Sequence, residues 1–338
     1  MSLSIETLRP ASPEEWDTIC EACDYSTYFH SREWAEIWTA YTRGKMRSYP
    51  KLIIFSDGKK ALIPLSCQKT LRQLSRQYVS SPAGTFGGWI SDDPLEVGHA
   101  VLLARWMIES LGNLVWRLNP YDVNVSRINI DVWQDDVTHS LCLTGGFDSL
   151  FTRWTKGHKS AAAKAAKAIR ENVNVRVGST REDWRCYYTI YEASIDRWGA
   201  RTSSKYTWEI FDEMFRRNSS QIRLWLSVYQ DKIVAGAICF YAKKHVAYWH
   251  GAALEEFFPL RPVNLLMYTA IKHACEAGYQ WFDFNPSGSH EGVKAFKKSF
   301  GAMPLPSPIV TCETKVLGFA KKVSQIVQRI RGYDLFIL

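Results

Sequence analysis

The sequence predicts a mixed α/β fold built from two similar halves, and three observations support this prediction. The chain has 338 residues, which favours two units of about 150 residues each. Hydrophobic residues make up 46% of the chain and charged residues 22%, as in ordinary globular proteins. In each half, two helical patterns precede an antiparallel pair of strands, which suggests a duplicated unit.

The first half begins with two patterns of helical spacing, over residues 14–23 and 31–41. A β-hairpin follows, with strands at 51–55 and 61–67, because the pair Asp57-Gly58 suits a tight turn between strands. The remaining predicted elements of this half are a strand, a helix and two strands, at 78–81, 94–111, 115–119 and 127–130.

The second half repeats this order with longer elements. Its hairpin joins strands 222–229 and 233–241 through a turn at Asp231. The other predicted helices of this half are 156–171, 181–197, 206–217 and 262–277, and the other strands are 173–177, 245–252 and 281–284. A last amphipathic helix is predicted at about 314–331.

Several features of the chain bear on its location and redox state. No apolar run approaches the roughly 18 residues needed to span a bilayer, and the first residues are polar and acidic. We therefore expect a cytoplasmic protein without a transmembrane segment. The eight cysteines are scattered, which favours reduced thiols. Cys20 and Cys23 form one CxxC pair without a second pair or a nearby histidine, so a helix end is favoured over a metal or redox role.

The chain lacks the motifs of several enzyme classes. The chain has no GxxxxGK[ST] loop, no GxSxG elbow, no HExxH and no GxGxxG after a strand, which argues against kinases, serine hydrolases, zinc proteases and Rossmann enzymes. Gly84, Gly87 and Gly88 follow a proline in a loop, where a turn is favoured over a phosphate site. The net charge of +8 suits a polyanionic ligand, although many ordinary enzymes are equally basic.

An ordered set of segments in the second half carries a resemblance to a known family. Residues 223–252 read RLWLSVYQDKIVAGAICFYAKKHVAYWHGA, residues 259–287 read PLRPVNLLMYTAIKHACEAGYQWFDFNPS, and residues 295–302 read AFKKSFGA. This set resembles the FemAB-like (peptidoglycan-branching and BioF2-like) branch of the GNAT acyltransferase superfamily. The segments YFHSREWAEIW, GTFGGW and HKSAAAKAAKAIRENVNVRV extend the resemblance over most of the chain.

The resemblance implies two tandem GNAT-like domains. The first comprises residues 1–147, the second comprises 148–313 and contains the active cleft, and a C-terminal helix within 314–338 returns to the first domain. The implied activity is that of an N-acyltransferase in cell-envelope or polysaccharide biosynthesis. It would move an acyl or aminoacyl group to an amine-bearing small molecule or envelope precursor. No cofactor is expected to bind tightly, and acyl-CoA, acyl carrier protein or aminoacyl-tRNA would supply the acyl group.

Lys297 is the first candidate catalytic residue. Acyl transfer to an amine passes through an oxyanion, which a cation or hydrogen-bond donor stabilises. The functional lysine of the family's FK motif corresponds to Lys297, with Phe296 and Lys298 as substrate-binding neighbours. Phe296 and Phe300 lie four residues apart, so we expect both rings on the core side of a helix start and Lys297 facing the cleft. The alternative is a solvated lysine.

Asp283 and His250 are two further candidate catalytic residues. Asp283 lies between Phe282 and Phe284 on an alternating strand, so its side chain faces away from both rings. It either accepts a proton or has the structural role of orienting the segment around Lys297, and the structural role is favoured. His250 lies at a strand end and is either a general base or a packed core histidine, and packing is favoured.

Two departures from the family pattern affect ligand binding. Ordinary GNAT proteins carry [QR]xxGx[GA] at the pyrophosphate of coenzyme A, whereas this chain has Arg261 followed by Asn264 and Leu266 in place of the small residues. This disfavours coenzyme A and favours aminoacyl-tRNA or a carrier protein. Relatives usually have glycine after the aspartate, where this chain has Asn285-Pro286, so we expect the backbone there to approach a ligand less closely.

Basic residues supply further substrate-binding candidates. Helical spacing places five of them within an arc of about 140°: Lys156, Lys159, Lys164, Lys167 and Arg170. This stripe either binds phosphates or is a solvated face. Arg197 and Arg201 follow the next helix and are weaker candidates. The alternative to an enzyme is a non-catalytic protein on a degenerate GNAT-like scaffold, which binds tRNA or another nucleic acid or acts in an assembly.

Overall fold

The computed structural model describes residues 2–70, 75–130, 133–155, 160–199, 205–287 and 291–313. The predicted C-terminal helix therefore lies outside the described residues. The strands are β1 (Ile5–Pro10), β2 (Met46–Phe55), β3 (Lys60–Thr70), β4 (Ser75–Val79), β5 (Leu114–Arg117), β6 (Trp133–Gln134), β7 (Val137–Cys142), β8 (Asn174–Gly178), β9 (Ile222–Tyr229), β10 (Lys232–Ala242), β11 (His245–Ala253), β12 (Trp281–Asp283), β13 (Met303–Pro306) and β14 (Ile309–Cys312).

The helices lie between these strands. They are α1 (Pro13–Ala22), α2 (Arg32–Tyr41), α3 (Val97–Leu111), α4 (Gly146–Trp154), α5 (Ala161–Arg170), α6 (Arg181–Trp198), α7 (Trp208–Arg217), α8 (Pro262–Glu276) and α9 (Glu291–Ser299). Polar caps fix several helix starts. The Ser12 side chain accepts a hydrogen bond from the Glu15 amide at the start of α1, and Ser31 accepts one from Trp34 at the start of α2.

The two sheets have the same strand plan, which confirms the predicted mixed α/β fold with two similar units. The order is β1-β2-β3-β4-β5-β14-β6 in the first sheet and β8-β9-β10-β11-β12-β7-β13 in the second. In both sheets the first four strands are antiparallel and the fourth and fifth are parallel. Two helices follow the first strand of each unit, and one helix separates the parallel strands.

The two units exchange one strand each. Strand β7 precedes the second unit in sequence but pairs with β12, and β14 follows the second unit but pairs with β5 of the first sheet. Each sheet therefore contains a hydrogen-bonded strand from the other half of the chain, and these strands connect the two units. The division into domains 1–147 and 148–313 stays a prediction. The two exchanged strands pair with strands on the other side of this predicted boundary.

An aromatic core joins the two units. Trp34 and Trp38 of α2 lie against the second sheet, where the Trp34 ring is 5.2 Å from Phe240 and 5.6 Å from Trp249. Tyr28 is stacked on Phe240 with ring centroids 4.4 Å apart. Burying rings of this size supplies much of the free energy that holds the units together. Among the described residues, no helix is long and apolar enough to cross a membrane.

Some predicted boundaries were wrong for local reasons. Residues 125–127 form a 3₁₀ turn where a strand at 127–130 was predicted, and the apolar side chains there pack into the first core. The basic helix was predicted from residue 156, but Ser160 has an extended backbone and caps the amide of Ala163, so the helix begins at Ala161. The FKKSF segment was predicted as a helix start, whereas it lies at the end of α9.

The candidate glycine and cysteine sites have structural explanations. A Cβ on Gly87 would lie 2.3 Å from Ser80 Oγ, so glycine is required there for close packing. Gly84 and Gly88 have positive φ, as the predicted turn requires. Cys20 and Cys23 are unpaired, and burial raises the pKa of both thiols. Within the described part of the chain, no group of three His, Cys, Asp or Glu side chains could hold a metal.

Candidate functional site

The candidate site lies where the parallel strands β11 and β12 separate. They pair over three positions, of which the last joins Ala247 to Asp283. Beyond this point β11 contains a bulge, because Tyr248 and His250 have partners on β10 while Trp249 between them has none. The bulge turns β11 away from β12. The backbone groups that follow Ala247 and Asp283 are therefore no longer paired with each other.

Asp283 is fully buried at the end of β12. Phe282 and Phe284 pack together in the core on one face of the sheet, and Asp283 points to the other face, as the alternation predicted. Its carboxylate accepts 2.6 Å hydrogen bonds from the hydroxyls of Thr138 and Tyr121. Tyr121 belongs to the first half of the chain, so this carboxylate joins the two units.

The protonation of Asp283 reflects opposing effects. Burial raises its pKa above the usual value of a carboxyl group, because the charged form is poorly solvated. Hydrogen bonds from Thr138, Tyr121 and the amide of Asn285 lower the pKa, as does the charge of Lys297. Three donors aimed at the carboxyl oxygens favour the carboxylate form, which accepts hydrogen bonds on both oxygens.

Asn285 turns the chain directly after β12. Its φ of 57° lies in the left-handed region, where asparagine is among the few non-glycine residues found often. Asparagine at this position therefore adopts a conformation that glycine also adopts readily. The amide donates to Asp283 Oδ1 at 2.6 Å, and Nδ2 donates to the Tyr248 carbonyl at 2.8 Å. Asn285 therefore bridges the separated ends of β11 and β12.

Lys297 lies in the last turn of α9 and is only 2% exposed, so it is not a solvated surface lysine. Its Nζ donates a hydrogen bond to the Asn285 carbonyl. Burial lowers the pKa of Lys297 to about 8, and the charges of Asp283 and Asp136 oppose this shift. The ammonium form therefore predominates at neutral pH. Its position at a helix C-terminus also favours a cation.

The neighbours of Lys297 lie as the spacing predicted. The Phe296 and Phe300 rings are 5.2 Å apart, and Phe300 is buried against Trp154 in the core of the second unit. Lys298, the next residue, is exposed. These contacts fix the last turn of α9 and direct Lys297 towards the Asn285 turn.

His250 lies in a different part of the second unit. It packs against Tyr191 with ring centroids 4.5 Å apart, and its Nδ1 lies 2.6 Å from the Tyr187 hydroxyl. Burial lowers the pKa of His250 to about 3. Within the described residues, no hydrogen bond or ring contact links His250 to Lys297 or Asp283. Its role as a base stays a prediction, while its surroundings are those of a packed histidine.

The other predicted substrate-binding residues are dispersed. Arg197 donates to the Ala253 carbonyl at 3.3 Å and lies 4.9 Å from the Phe258 ring. Arg261 is exposed at the start of α8, and Lys167 is half-buried on α5. The structure does not bring these side chains to Lys297. Arg201 and Lys159, together with Lys156 of the basic stripe, lie outside the described residues.

A pocket that the sequence did not predict lies beside Lys297. It has a volume of about 240 Å³ and is lined by Asp135, Asp136, Val137, His139, Ser287 and Lys294. Most of these residues belong to β7 or to the segment before it. Strand β7 was not predicted, because its sequence is short and polar and pairs with strands that are distant in sequence. No motif therefore indicated His139.

The second half of the chain resembles a known protein domain. The model of the acetyltransferase (GNAT) domain matches residues 156–298, which contain Asp283, Asn285 and Lys297. A search of curated proteins found no match. Several solved structures have the same fold over nearly the whole chain.

One similar structure is that of FemX, with 14% sequence identity and a TM-score of 0.66 over 89% of this chain and 96% of FemX. L-PGS from Bacillus licheniformis has 13% identity and a TM-score of 0.56 over 96% and 99% of the two chains. The C-terminal domain of an Agrobacterium fabrum protein, assigned as a lysylphosphatidylglycerol synthetase, has 12% identity and a TM-score of 0.57 over 93% and 96%. The chain thus matches the GNAT domain model over residues 156–298, and it shares its fold with FemX and L-PGS over nearly its whole length.

Proposed function

We propose that the chain is an N-acyltransferase that moves an acyl or aminoacyl group to an amine acceptor. The observation that carries this proposal is the chain of hydrogen bonds from Lys297 through Asn285 to Asp283, at the separating ends of two parallel strands in a GNAT-type unit. A buried ammonium beside a fixed backbone turn suits a reaction in which negative charge develops on an oxygen.

The proposed chemistry uses Lys297 as a fixed positive charge. The acceptor nitrogen attacks the acyl carbon, and the carbonyl oxygen becomes negatively charged until the bond to the carrier's sulfur or oxygen breaks. An ammonium group has three N–H donors, and the Asn285 carbonyl accepts one of them. The remaining donors are available to the oxyanion. Asp283 supports this role because its negative charge favours the protonated form of Lys297.

The acyl donor is proposed to be a carrier protein or aminoacyl-tRNA rather than free acyl-CoA. Arg261 is the residue directly before helix α8, at the helix start where ordinary GNAT domains bind the pyrophosphate of coenzyme A. The side chain of Asn264 is buried at the position of a small residue in the usual signature. A backbone without glycine at this position is less able to approach a pyrophosphate closely.

The acceptor is proposed to be an amine in cell-envelope or polysaccharide biosynthesis. This inference rests on the shared fold with FemX and with the Agrobacterium protein assigned as a lysylphosphatidylglycerol synthetase. Both similarities are below 25% identity, so they support the fold directly and the class of acceptor only by analogy.

An activity assay with several donors tests the proposal. The purified protein would be incubated with acetyl-CoA, an acyl-loaded carrier protein or aminoacyl-tRNA, each with the same set of amines, and the products weighed by mass spectrometry. The expected product is an amine that is heavier by the acyl group, formed by the wild-type protein and lost in Lys297→Met. No product with any donor, together with tRNA binding that weakens steeply with salt, would favour the non-catalytic alternative.

A further inference from the structure

Three buried polar atoms near Lys297 have no hydrogen-bond partner among the described residues. They are His139 Nδ1, Asn285 Oδ1 and Ser287 Oγ. His139 and Ser287 line the same pocket, and Asn285 precedes Ser287 by two residues. Buried polar atoms in folded proteins nearly always have a partner. Three unpartnered atoms in one region therefore point to a ligand that supplies the missing hydrogen bonds.

The chemistry of the pocket favours a ligand with N–H groups. The amide oxygen of Asn285 only accepts hydrogen bonds, and the hydroxyl of Ser287 is able to accept them. Two carboxylates, Asp135 and Asp136, line the pocket and attract a positively charged group. The lysine at its rim, Lys294, is paired with Glu291 at 2.8 Å. These features suit an amine better than an anion.

We propose that this pocket binds the acceptor amine and that His139 accepts the proton which the amine loses during acyl transfer. The inference rests on the proposed acyltransferase function and adds to it the position of the acceptor and a base. His139 is 2% exposed, and its carbonyl accepts a 2.9 Å hydrogen bond from the Phe284 amide. Strand β7 is paired with β12 on one side and β13 on the other, so the backbone of His139 is held in place.

The surroundings of His139 keep its ring neutral. Burial lowers its pKa below the ordinary value, and the positive charges of Lys297, Lys298 and Lys294 lower it further. Asp135 and Asp136 line the pocket, and Asp136 is paired with Arg117 at 2.8 Å. Glu291 is a further negative group nearby, and it is paired with Lys294. Asp283 points to the other face. A neutral imidazole has one nitrogen with a free lone pair, which is able to accept a proton.

The proposed step is balanced without a further reactant. The bound amine first releases its extra proton to solvent and attacks in the uncharged form. Its nitrogen forms a bond to the acyl carbon and becomes positively charged, and His139 removes one of its remaining protons. The tetrahedral intermediate then expels the carrier's thiolate or alkoxide as the carbon–sulfur or carbon–oxygen bond breaks. The imidazolium of His139 returns the proton to that leaving group, while Lys297 stabilises the oxyanion until the carbonyl re-forms.

The pH dependence of kcat/KM in the wild-type protein and in His139→Gln tests the base. Because protonation disables a base, the wild-type rate is expected to fall at acidic pH, below the ordinary histidine pKa of 6.5. In His139→Gln we expect this acidic limb to disappear and the rate to drop about 100- to 10,000-fold. A matched control is His273→Gln on α8, whose imidazole contacts Arg223 away from the pocket. The His273→Gln variant is expected to keep the wild-type kcat/KM and its decrease at acidic pH.

A binding experiment tests the pocket without any turnover. The NMR signals of labelled histidine side chains would be followed while glucosamine is added, with glucose as the uncharged control. The expected result is a saturable shift of the His139 signal with glucosamine alone. No shift of the His139 signal, or a folded His139→Gln protein that retains the acidic limb and the wild-type rate, would overturn the inference. If no donor supports acyl transfer, a His139 shift with glucosamine still identifies an amine pocket, so the two proposals fail separately.

Discussion

Lys297 Nζ donates a hydrogen bond to the backbone carbonyl of Asn285, and the amide of the same residue donates one to Asp283. A single turn of backbone is thus held from both sides by groups of opposite charge. Because Lys297 is buried, its ammonium depends on these neighbours.

The charge of Lys297 predicts an alkaline limit to activity. Burial lowers the pKa of Lys297 to about 8, so the ammonium is lost as the pH rises through that value. We expect kcat to fall there when the acceptor amine is itself already deprotonated at neutral pH. Measuring kcat from pH 6 to 10 with such an acceptor checks this, and a rate that stays constant over that range would contradict the role of the charge.

Asp283→Asn is expected to shift the alkaline decrease of kcat to lower pH. The negative charge of Asp283 raises the pKa of Lys297, so its removal lowers that pKa below about 8. The variant is also expected to be less stable by about 3 kcal/mol, since three donors would then face an amide that has a single acceptor oxygen. Urea unfolding measures the stability, and kcat profiles with the same substrates measure the shift. If kcat falls at the same alkaline pH in the variant and in the wild-type protein, Asp283 does not stabilise the protonated form of Lys297.

Tyr121→Phe tests the contact between the two halves. The Tyr121 hydroxyl donates to the buried Asp283 carboxylate at 2.6 Å, and a hydrogen bond to a charged group contributes about 1.5–3 kcal/mol. We expect a loss of this size in the free energy of unfolding. Tyr229→Phe is the control, since in the described part of the chain its hydroxyl has no hydrogen bond, and it should change stability by less than about 0.5 kcal/mol. Equal stabilities of the two variants would contradict the contact.

Two substitutions at Asn285 test the left-handed turn. Alanine and glycine both remove the side chain that bonds to Tyr248, but only alanine has a Cβ, which is strained at a φ of 57°. Asn285→Gly is therefore expected to be more stable than Asn285→Ala by about 1 kcal/mol in thermal or urea unfolding. At ordinary backbone positions an alanine variant is more stable than a glycine variant. If Asn285→Ala is the more stable of the two variants, the left-handed conformation at this position is contradicted.

Much of the fold could be predicted from the sequence, because the helices and hairpins are specified by local patterns. The β9–β10 hairpin and the boundaries of α1, α2 and α8 lie within two residues of the prediction. The exchanged strands β7 and β14 were missed, since their pairing partners lie far away in sequence. The orientation of Asp283 followed from alternation, and it is confirmed by the packing of Phe282 and Phe284.

The candidate site was only partly predictable. The family motif indicated Lys297, and the pair Asn285-Pro286 was noted as a departure from the glycine of relatives. The left-handed conformation of Asn285 and its bond to Lys297 depend on tertiary contacts that the sequence does not display. His139 lies on one of the missed strands, so the pocket beside Lys297 appears only in the structure.

The rate of a single turnover in Lys297→Met is the most direct test of the proposed role of Lys297. With a donor that the wild-type protein accepts, we expect the transfer rate to fall about 100- to 1000-fold while the circular dichroism spectrum stays unchanged. Lys272→Met is the control, because that lysine is exposed on α8, where its Nζ lies 3.7 Å from Glu276 and 5.7 Å from the centre of the Phe147 ring. A folded Lys297→Met protein with the wild-type rate would contradict the role of this residue.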